Sequence, residues 1–500
     1  MKLFENPIFI TQRRIVHRAG VMAAALIAGL IGFCLLLGFE GSLHGPFANR
    51  RPPGEVGEGY YGWIVGLEII ILVLGGFSRI ARSLSDDRKA GLWDSNRLTP
   101  LPPAQILAGY WLGPALREFY MAVVLAGFGL LIVLLAGLPL SLWLGTQLLI
   151  ASTALFFGLL GILAGMVFLR SQGALIFLLL LFTYPFTFMA PSRMITNFLL
   201  PTYGIGHLFR AANPTPGLPP ASPLDWLAPA QIFGISLSPV LLSLILQWLL
   251  AAFLWRALVR KTANPFQPLL LRWEAIGLFS LLLVVQQGLL WDLWAGKFPL
   301  MAGSNKGFPE GVPLLSVVHG GTLVIGLLLL GLASPLPERV RVESLRLGFK
   351  TVGAIFSGSA ASLALALALI AGALMLTQFV FALATNWQVI LAVFLNLTEL
   401  FLVFALLLEF CRLRHGRRAL GFIALWLFAL CVLPFILAAV FASEAFAHFS
   451  LLAPGFFALA DDSDLSWPRL YGTLLVHFGV VVLLFLNWRG QWQRLLAKAA

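Results

Sequence analysis

The feature that most constrains this chain is a succession of apolar runs, separated by shorter polar segments. A helix needs ~20 apolar residues to cross the ~30 Å hydrocarbon core of a bilayer. Only 11% of the 500 residues are charged, whereas a soluble domain has roughly 25%. The runs therefore predict an all-α polytopic membrane protein of the cell (inner or plasma) membrane, with about 12 transmembrane helices. The candidate spans are residues 20–39, 60–80, 118–137, 142–169, 174–190, 236–258, 275–291, 313–333, 351–376, 388–411, 419–441 and 470–487.

Basic residues are distributed unevenly among the connecting segments. Most of the 33 Lys and Arg residues fall in alternate segments, beginning with the N-terminus, while the intervening segments hold few and include the acidic run 461–464. Because cytoplasmic segments of membrane proteins are enriched in Lys and Arg, both termini are predicted to be cytoplasmic. The same pattern explains the net charge of +12, so the lipid bilayer is expected as a partner and nucleic acid is not.

The chain also contains an internal repeat. A Thr/Ser-Pro-Leu-Pro turn begins at Thr99 and again at Ser334, and Leu-Gly follows each turn at the same spacing. We infer two parallel six-helix repeats, residues 1–262 and 263–500, because both halves begin on the cytoplasmic side. The alternative is chance similarity between leucine-rich helices.

The longest polar interruption in the first half covers residues 79–118, between the second and third spans. Its charged residues are followed by two proline turns, which predicts a cytoplasmic loop containing a short stiff helix. Asp94 or Ser95 is placed to cap that helix. Trp93 and Leu98 offer apolar contacts that a partner's groove could hold. The alternative is a solvated charged loop that only enforces the topology.

The order of motifs in this segment resembles the ABC-2 family of ATP-binding-cassette permeases. Members typically show an acidic–basic pair, a Gly, an aromatic residue or Leu, an acid, and then Thr-Pro-Leu before a helix that opens Ile-Leu-x-Gly. The similar stretches here are 87–94, 98–101 and 106–109, with Asp in place of the commoner Glu and Leu92 in place of Thr. The resemblance covers residues 1–262 and reaches the second half only through the repeat. The resemblance implies an ATPase-coupling loop, whose candidate residues are Asp86, Asp87, Arg88, Gly91, Trp93, Asp94, Leu98, Thr99, Pro100 and Leu101.

The resemblance implies a membrane-spanning permease subunit of an ABC transporter, and it favours export. Separate cytoplasmic ATPase subunits would bind and hydrolyse ATP, so the chain itself is expected to be neither an enzyme nor a cofactor-binding protein. The residues agree, since the nearest approach to a G-x-x-x-x-G-K-[ST] phosphate loop is Gly348–Thr351, which lacks the upstream glycine. The segment Asn6–Phe9 also resembles the amphipathic opening of that family.

Three polar residues are predicted at membrane depth: Glu68 in the second span, and Asn396 and Glu399 in the tenth. An acid at mid-bilayer costs ~2.5–3.5 kcal/mol on insertion scales and is a functional candidate by default. Asn396 and Glu399 are three residues apart and share one helix face. The alternative is structural, namely hydrogen bonds that hold helices together. His319 and His477 lack a third ligand and no nucleophile–base pair is evident, so neither a metal site nor a catalytic site is predicted.

Two other functions are compatible with the sequence. A secondary transporter of the major-facilitator type also has two parallel halves, and residues 84–91 are similar in part to its Asp-Arg motif, although the following basic pair is missing. A membrane-embedded lipid-linked transferase would use acids in an external segment, such as the run 461–464. The sequence does not identify the substrate, although an apolar interior favours lipids, drugs or amphipathic polymers.

Overall fold

The computed structural model describes most of the chain, and the described residues are largely helical. They contain one two-stranded hairpin, formed by Ala230–Ile232 and Ile235–Leu237. The described residues are 6–11, 20–44, 52–167, 195–212, 230–265, 267–291, 314–334, 359–382, 387–415, 422–423, 425–426, 428–440, 450–452 and 467–497.

The chain divides into two compact units, of which the first comprises Met1–Ala230 and Ser236–Asn264. A π-helical segment, Ile69–Gly75, joins two of its helices, and a 3-10 turn covers Ile195–Phe198. Its helices, numbered in chain order, are α1 (Gly20–His44), α2 (Pro53–Glu68), α3 (Gly76–Lys89), α4 (Leu92–Leu98), α5 (Pro103–Leu112), α6 (Leu116–Leu135), α7 (Leu140–Val167), α8 (Pro201–Ala212) and α9 (Pro239–Ala263).

The second unit comprises Gln231–Ile235 and Pro265–Ala500. The boundary between the units falls close to the division at residue 262 that the sequence suggests, while the repeat itself stays a prediction. A second π-helical segment, Phe428–Val432, lies in this unit. Its helices are α10 (Arg272–Leu289), α11 (Leu314–Ala333), α12 (Ala360–Ala382), α13 (Trp387–His415), α14 (Leu433–Val440) and α15 (Trp467–Ala497).

Seven helices in the described residues are long and apolar enough to cross a membrane. They coincide with the first four predicted spans and with the sixth, tenth and twelfth. The fifth predicted span, 174–190, lies outside the described residues, and the eleventh, 419–441, is described in part. Helices α10, α11 and α12 occupy the seventh to ninth predicted spans but are not among the seven. The all-α, membrane-embedded class is thus confirmed, whereas twelve spans and parallel repeats stay predictions.

The outer faces of these helices expose large apolar side chains. Met22, Leu26 and Leu30 on α1 are more than half exposed, as are Val123 and Leu134 on α6. Such continuous apolar surface is rare on soluble monomers, whereas lipid tails solvate it without cost. The exposed faces therefore agree with a bilayer as the surrounding solvent.

Helix α7 is the central helix of the first unit, since it packs against α3, α8 and α9. Two of its glycines face α3 very closely. A Cβ at Gly161 would lie 2.9 Å from the carbonyl oxygen of Phe77, and a Cβ at Gly165 would lie 2.8 Å from that of Ala81. Small residues allow this approach, which supplies the packing that holds helices together in a membrane.

The prediction of a polar loop over residues 79–118 is wrong in its local structure. The second span continues through the π segment into α3, so that one helical segment runs over Pro53–Lys89, and α4 and α5 follow. The cause is that α3 is amphipathic and packs its apolar stripe inside the unit. The buried apolar residues of that stripe recur at helical spacing: Phe77, Ile80, Ala81 and Leu84.

Candidate functional site

Helix α4 is set off from its neighbours by a turn at each end. Gly91 has φ 75°, a left-handed conformation that glycine adopts without strain, and it separates α3 from α4. At the other end Thr99 is extended and Pro100 follows. The predicted short helix is therefore present. Its N-cap is Gly91 without a side-chain hydrogen bond, so the prediction that Asp94 or Ser95 caps it is wrong.

Trp93 and Tyr110 pack against each other on the buried face of α4. The Trp93 indole is 6% exposed and meets the Tyr110 ring edge to face, with centroids 5.4 Å apart. The Tyr110 hydroxyl donates to Asp87 Oδ2 at 2.6 Å and accepts from Asn96 Nδ2 at 2.9 Å. Burial, reinforced by the Asp87 carboxylate, raises the pKa of Tyr110 above its ordinary value, so the phenol keeps its proton. One buried network thus joins α3, α4 and α5.

Two arginines tie this region to two other helices. Arg88, near the end of α3, donates through Nη1 to the carbonyl oxygens of Gly165, at 3.0 Å, and Met166 in the last turn of α7. Arg97, in the last turn of α4, donates through Nε to the carbonyl oxygen of Thr262 at 2.7 Å, near the end of α9. The last carbonyls of a helix lack intrahelical partners and carry the negative end of its dipole. Both arginines therefore satisfy the C-terminal end of a candidate span.

The outer face of α4 combines an acid with protruding leucines. Leu98 is 89% exposed and Leu92 is 53% exposed. Asp94 is exposed beside them. Leu98 is therefore available to a partner, as expected, but the expectation that Trp93 contacts a partner is wrong because its indole is buried inside the chain.

The other residues matched to the coupling segment have minor structural roles. Asp86 forms an exposed ion pair with Lys89, with 2.9 Å between Oδ1 and Nζ. The Thr99 hydroxyl donates to a backbone carbonyl one turn back, at 2.5 Å. Pro100 is exposed and Leu101 is half-buried in the turn that precedes α5.

The N-terminal segment packs on α5. Asn6 Nδ2 donates to the carbonyl oxygen of Gln105 at 2.6 Å, and Asn6 Oδ1 accepts the Ile8 amide at 3.0 Å. Ile8 and Phe9 are buried, and a Cβ at Gly109 would lie only 2.9 Å from Ile8 Cβ. The glycine of the Ile-Leu-x-Gly opening is therefore needed for this approach, a role that the sequence did not reveal.

Glu68 lies in the last turn of α2 and is fully buried. Its Oε2 accepts a hydrogen bond from Gln147 Nε2 on α7 at 2.8 Å, and its Oε1 has no partner among the described residues. The π-helical segment begins directly after it, at Ile69. π-helical turns are rare overall, but they occur frequently at functional sites. Glu68 therefore stays a functional candidate.

Asn396 and Glu399 are both buried on α13. Asn396 Nδ2 donates to the carbonyl oxygen of Leu451 at 2.7 Å. Glu399 Oε2 lies 3.9 Å from Nδ1 of His477 on α15, whose side chain is also buried. Sequence reasoning missed this pair because the two residues lie far apart in the chain. The available signal was that each is an ionisable residue in an apolar helix.

A further buried acid, Glu409 on α13, connects three helices of the second unit. Its Oε1 accepts the backbone N–H of Ala360 at the start of α12, and its Oε2 accepts Trp488 Nε1 of α15 at 2.6 Å. An acid at a helix N-terminus is favoured by the helix dipole. Glu409 therefore has a structural role.

The described part of the chain offers no group of three or more His, Cys, Asp and Glu side chains that could hold a metal ion. Comparison of the chain with protein-family models, with curated proteins and with solved structures finds no match.

Proposed function

We propose that the chain is the membrane-spanning permease subunit of an ATP-binding-cassette transporter of the ABC-2 type, an exporter driven by ATPase subunits on separate chains. The observation that carries this proposal is the anchored helix α4. It is bounded by turns and presents the exposed Leu98, Arg97 joins it to α9, and Arg88 joins the adjoining end of α3 to α7. The motif order that resembles the family falls on this same element.

If a partner bound at Leu98 moves, a small number of hydrogen bonds would transmit that movement to two candidate spans. Arg97 bonds α9 directly from α4, and Arg88 bonds α7 from the adjoining end of α3. A hydrogen bond to a charged group contributes ~1.5–3 kcal/mol, so α4 cannot shift freely without carrying these helix ends with it. The element is thus suited to transmit ATP-driven motion into the membrane helices.

The proposal includes the expected topology: about 12 spans in two parallel six-helix repeats, with both termini in the cytoplasm. It requires α4 to face the cytoplasm, where an ATPase can reach it. A reporter that is active only in the cytoplasm, fused after Ala500, should therefore be active. Activity only from an externally active reporter would exclude the topology.

Copurification tests the partner. An ATPase encoded beside this chain is expected to copurify with the full-length protein from cells that express both. Leu98→Asp should abolish copurification by placing a charge at the contact. Ile235→Asp is the matched control, because Ile235 is an apolar residue, 65% exposed, in the hairpin on the predicted external side. Loss of the ATPase from the control as well, or retention in Leu98→Asp, would count against α4 as the contact.

A proton-coupled secondary transporter of the major-facilitator type is the second candidate. The buried pair of Glu399 and His477 favours it, because carboxyl and imidazole groups form proton relays in transporters. Uptake or efflux in ATP-free vesicles driven by an imposed pH gradient, and lost in Glu399→Gln, would select this function. The acidic run 461–464, on which a lipid-linked transferase would rest, lies outside the described residues.

A further inference from the structure

Two arginines of the first unit converge on one buried carboxylate. Glu118 lies in the first turn of α6, and its side chain is 4% exposed. Its Oε1 accepts hydrogen bonds from Arg79 Nε of α3 at 3.3 Å and from Arg117 Nη2 at 2.9 Å. Because both guanidinium groups donate to the same oxygen atom, their positive charges are held close together in spite of their mutual repulsion. We call Arg79 and Arg117 the arginine pair.

Packing fixes the Glu118 carboxyl group between two helical elements. Gly75 ends the π-helical segment, and a Cβ at that position would lie 3.4 Å from Glu118 Cγ. Arg79 follows one turn later, on α3. An acid in the first turn of a helix is also favoured by the helix dipole. Glu118 is therefore a fixed acceptor that sets the position of both arginines.

The arginine pair carries more positive charge than its own acid neutralises. Two guanidinium groups share the single Glu118 carboxylate, which is their only hydrogen-bond acceptor among the described residues. Each guanidinium has five N–H donors, so most of these donors stay available. The Arg79 side chain is 43% exposed and that of Arg117 is 34% exposed, so an external acceptor can reach both. The next acid along α3, Asp86, is already paired with Lys89. The arrangement therefore favours a second anion.

An exposed apolar face begins directly beside the arginine pair. Tyr120, Val123 and Leu131 follow Arg117 along one side of α6, and each is at least 45% exposed. Tyrosine is enriched at the interface between membrane and water, and the aliphatic side chains beyond it suit lipid tails. A soluble anion has no use for such a surface, whereas a phospholipid has both a phosphate group and acyl chains. The continuity of charge and apolar surface therefore points to a lipid.

We propose that the arginine pair binds the headgroup phosphate of an anionic phospholipid, whose acyl chains lie along Tyr120 and Val123. A guanidinium group matches the geometry of a phosphate and can donate two parallel hydrogen bonds to it. Basic residues near the membrane surface attract anionic lipids. A zwitterionic lipid has its own cation beside the phosphate, so it balances the charge of the pair less well. This site does not depend on whether an ATPase drives the protein.

Cross-linking in vesicles tests the site on the full-length protein. The vesicles contain equal parts of phosphatidylglycerol, which is anionic, and phosphatidylcholine, which is zwitterionic. A photo-crosslinking amino acid replaces Val123, and mass spectrometry measures the ratio of the two lipids attached to it. The ratio should favour phosphatidylglycerol roughly fivefold, the effect of one uncompensated basic charge near the surface.

Leu131 is the control position for the cross-linker. It lies about 20 Å farther along α6 than Arg117, beyond the middle of a ~30 Å hydrocarbon core, so lipids of the opposite leaflet contact it. The ratio from this position should stay near one. An equal preference for phosphatidylglycerol from both positions would show a general attraction of anionic lipid and would overturn the site.

The arginine variants test the charge balance. Arg79→Gln and Arg117→Gln should each remove the preference at Val123, because Glu118 neutralises the single guanidinium that remains, and the double variant should have no further effect. If one single variant does not fold, the other decides. Arg82→Met is the matched control, since it removes an exposed charge from α3 one turn farther along the helix, and it should keep the wild-type ratio.

Three results would overturn the proposal. The first is an equal yield of both lipids from Val123 in the wild-type protein. The second is a loss in Arg82→Met as large as that in Arg79→Gln, which would assign the preference to net charge alone. The third is a loss of the preference when inorganic phosphate replaces chloride at equal ionic strength, which would assign the arginine pair to a soluble anion.

Discussion

Two polar regions of the first unit differ in how their atoms are paired. Around α4, Arg88, Arg97 and Tyr110 each donate a hydrogen bond to a specific acceptor, at distances from 2.6 to 3.0 Å. Around the buried Glu68 of α2, Gln147 donates to Glu68 Oε2 at 2.8 Å, while Glu68 Oε1 has no partner among the described residues. In the first region, specific hydrogen bonds join several helices. The second region contains a buried carboxyl group of which one oxygen is bonded and the other is not.

This difference separates two ways in which a membrane protein uses polar groups. Paired groups at helix ends join elements that must move together. Ionisable groups at membrane depth are costly and are functional candidates by default. Variants that remove hydrogen bonds around α4 should therefore lower stability or coupling.

The largest effect on stability is expected where α3 packs closely against α7, the helix that Arg88 contacts. Gly165→Ala places a Cβ 2.8 Å from the carbonyl oxygen of Ala81, so the helices must separate and the free energy of unfolding should fall by about 3 kcal/mol. Gly127→Ala on α6 is the control, because a Cβ there meets nothing within 4 Å. Thermal unfolding in detergent measures both variants. Equal stability of the two would contradict the close packing.

The next effect is expected from the arginine anchors. Arg88→Met leaves the carbonyls of Gly165 and Met166 without this donor and should cost about 2 kcal/mol. Under the proposed function, it should also reduce transport while ATP hydrolysis continues. Arg82→Met, which removes an exposed charge from the same helix, should leave both activities unchanged. If Arg88→Met transports the normal amount of substrate per ATP hydrolysed, the hydrogen bonds of Arg88 are not required for coupling.

A smaller effect is expected from the network under α4. Tyr110→Phe removes the donor to Asp87 and the acceptor for Asn96, and should lower the free energy of unfolding by about 1–2 kcal/mol. Since Trp93 packs on the same ring, its fluorescence should report any loosening. An unchanged spectrum and an unchanged unfolding temperature would show that the network adds no rigidity.

The smallest effect is expected at the exposed ion pair of Asp86 and Lys89. Lys89→Ala should change the free energy of unfolding by no more than ~0.5 kcal/mol, because solvent screens such pairs. A loss comparable to that of Arg88→Met would contradict the small contribution expected of a solvent-exposed ion pair.

The sequence predicted the membrane class and about twelve spans, because long uncharged apolar runs are typical of membrane-spanning helices. Seven of these spans coincide with long apolar helices in the described residues. Sequence reasoning misjudged residues 79–118 because charged residues concealed an amphipathic continuation of the second span. The spacing of Phe77, Ile80, Ala81 and Leu84 carried that signal. It also predicted that α4 is a short helix, from its flanking turns.

Contacts between side chains were harder to predict from the sequence than the helices themselves. Trp93 was expected to face a partner, yet it is buried against Tyr110, and no periodicity in a seven-residue helix reveals such an orientation. The contacts of Arg97 with Thr262, and of Glu399 with His477, join helices that are distant in the chain. Such contacts depend on tertiary packing, which one sequence does not specify by inspection.

We propose above that α4 binds a partner ATPase through Leu98. A photo-crosslinking amino acid placed at position 98 of the full-length protein in cells tests it most directly, with position 235 as the control. We expect mass spectrometry to identify an ABC ATPase cross-linked from position 98 and not from position 235. Cross-linking of the ATPase only from position 235, or of no ATPase from position 98 while transport is active, would contradict it.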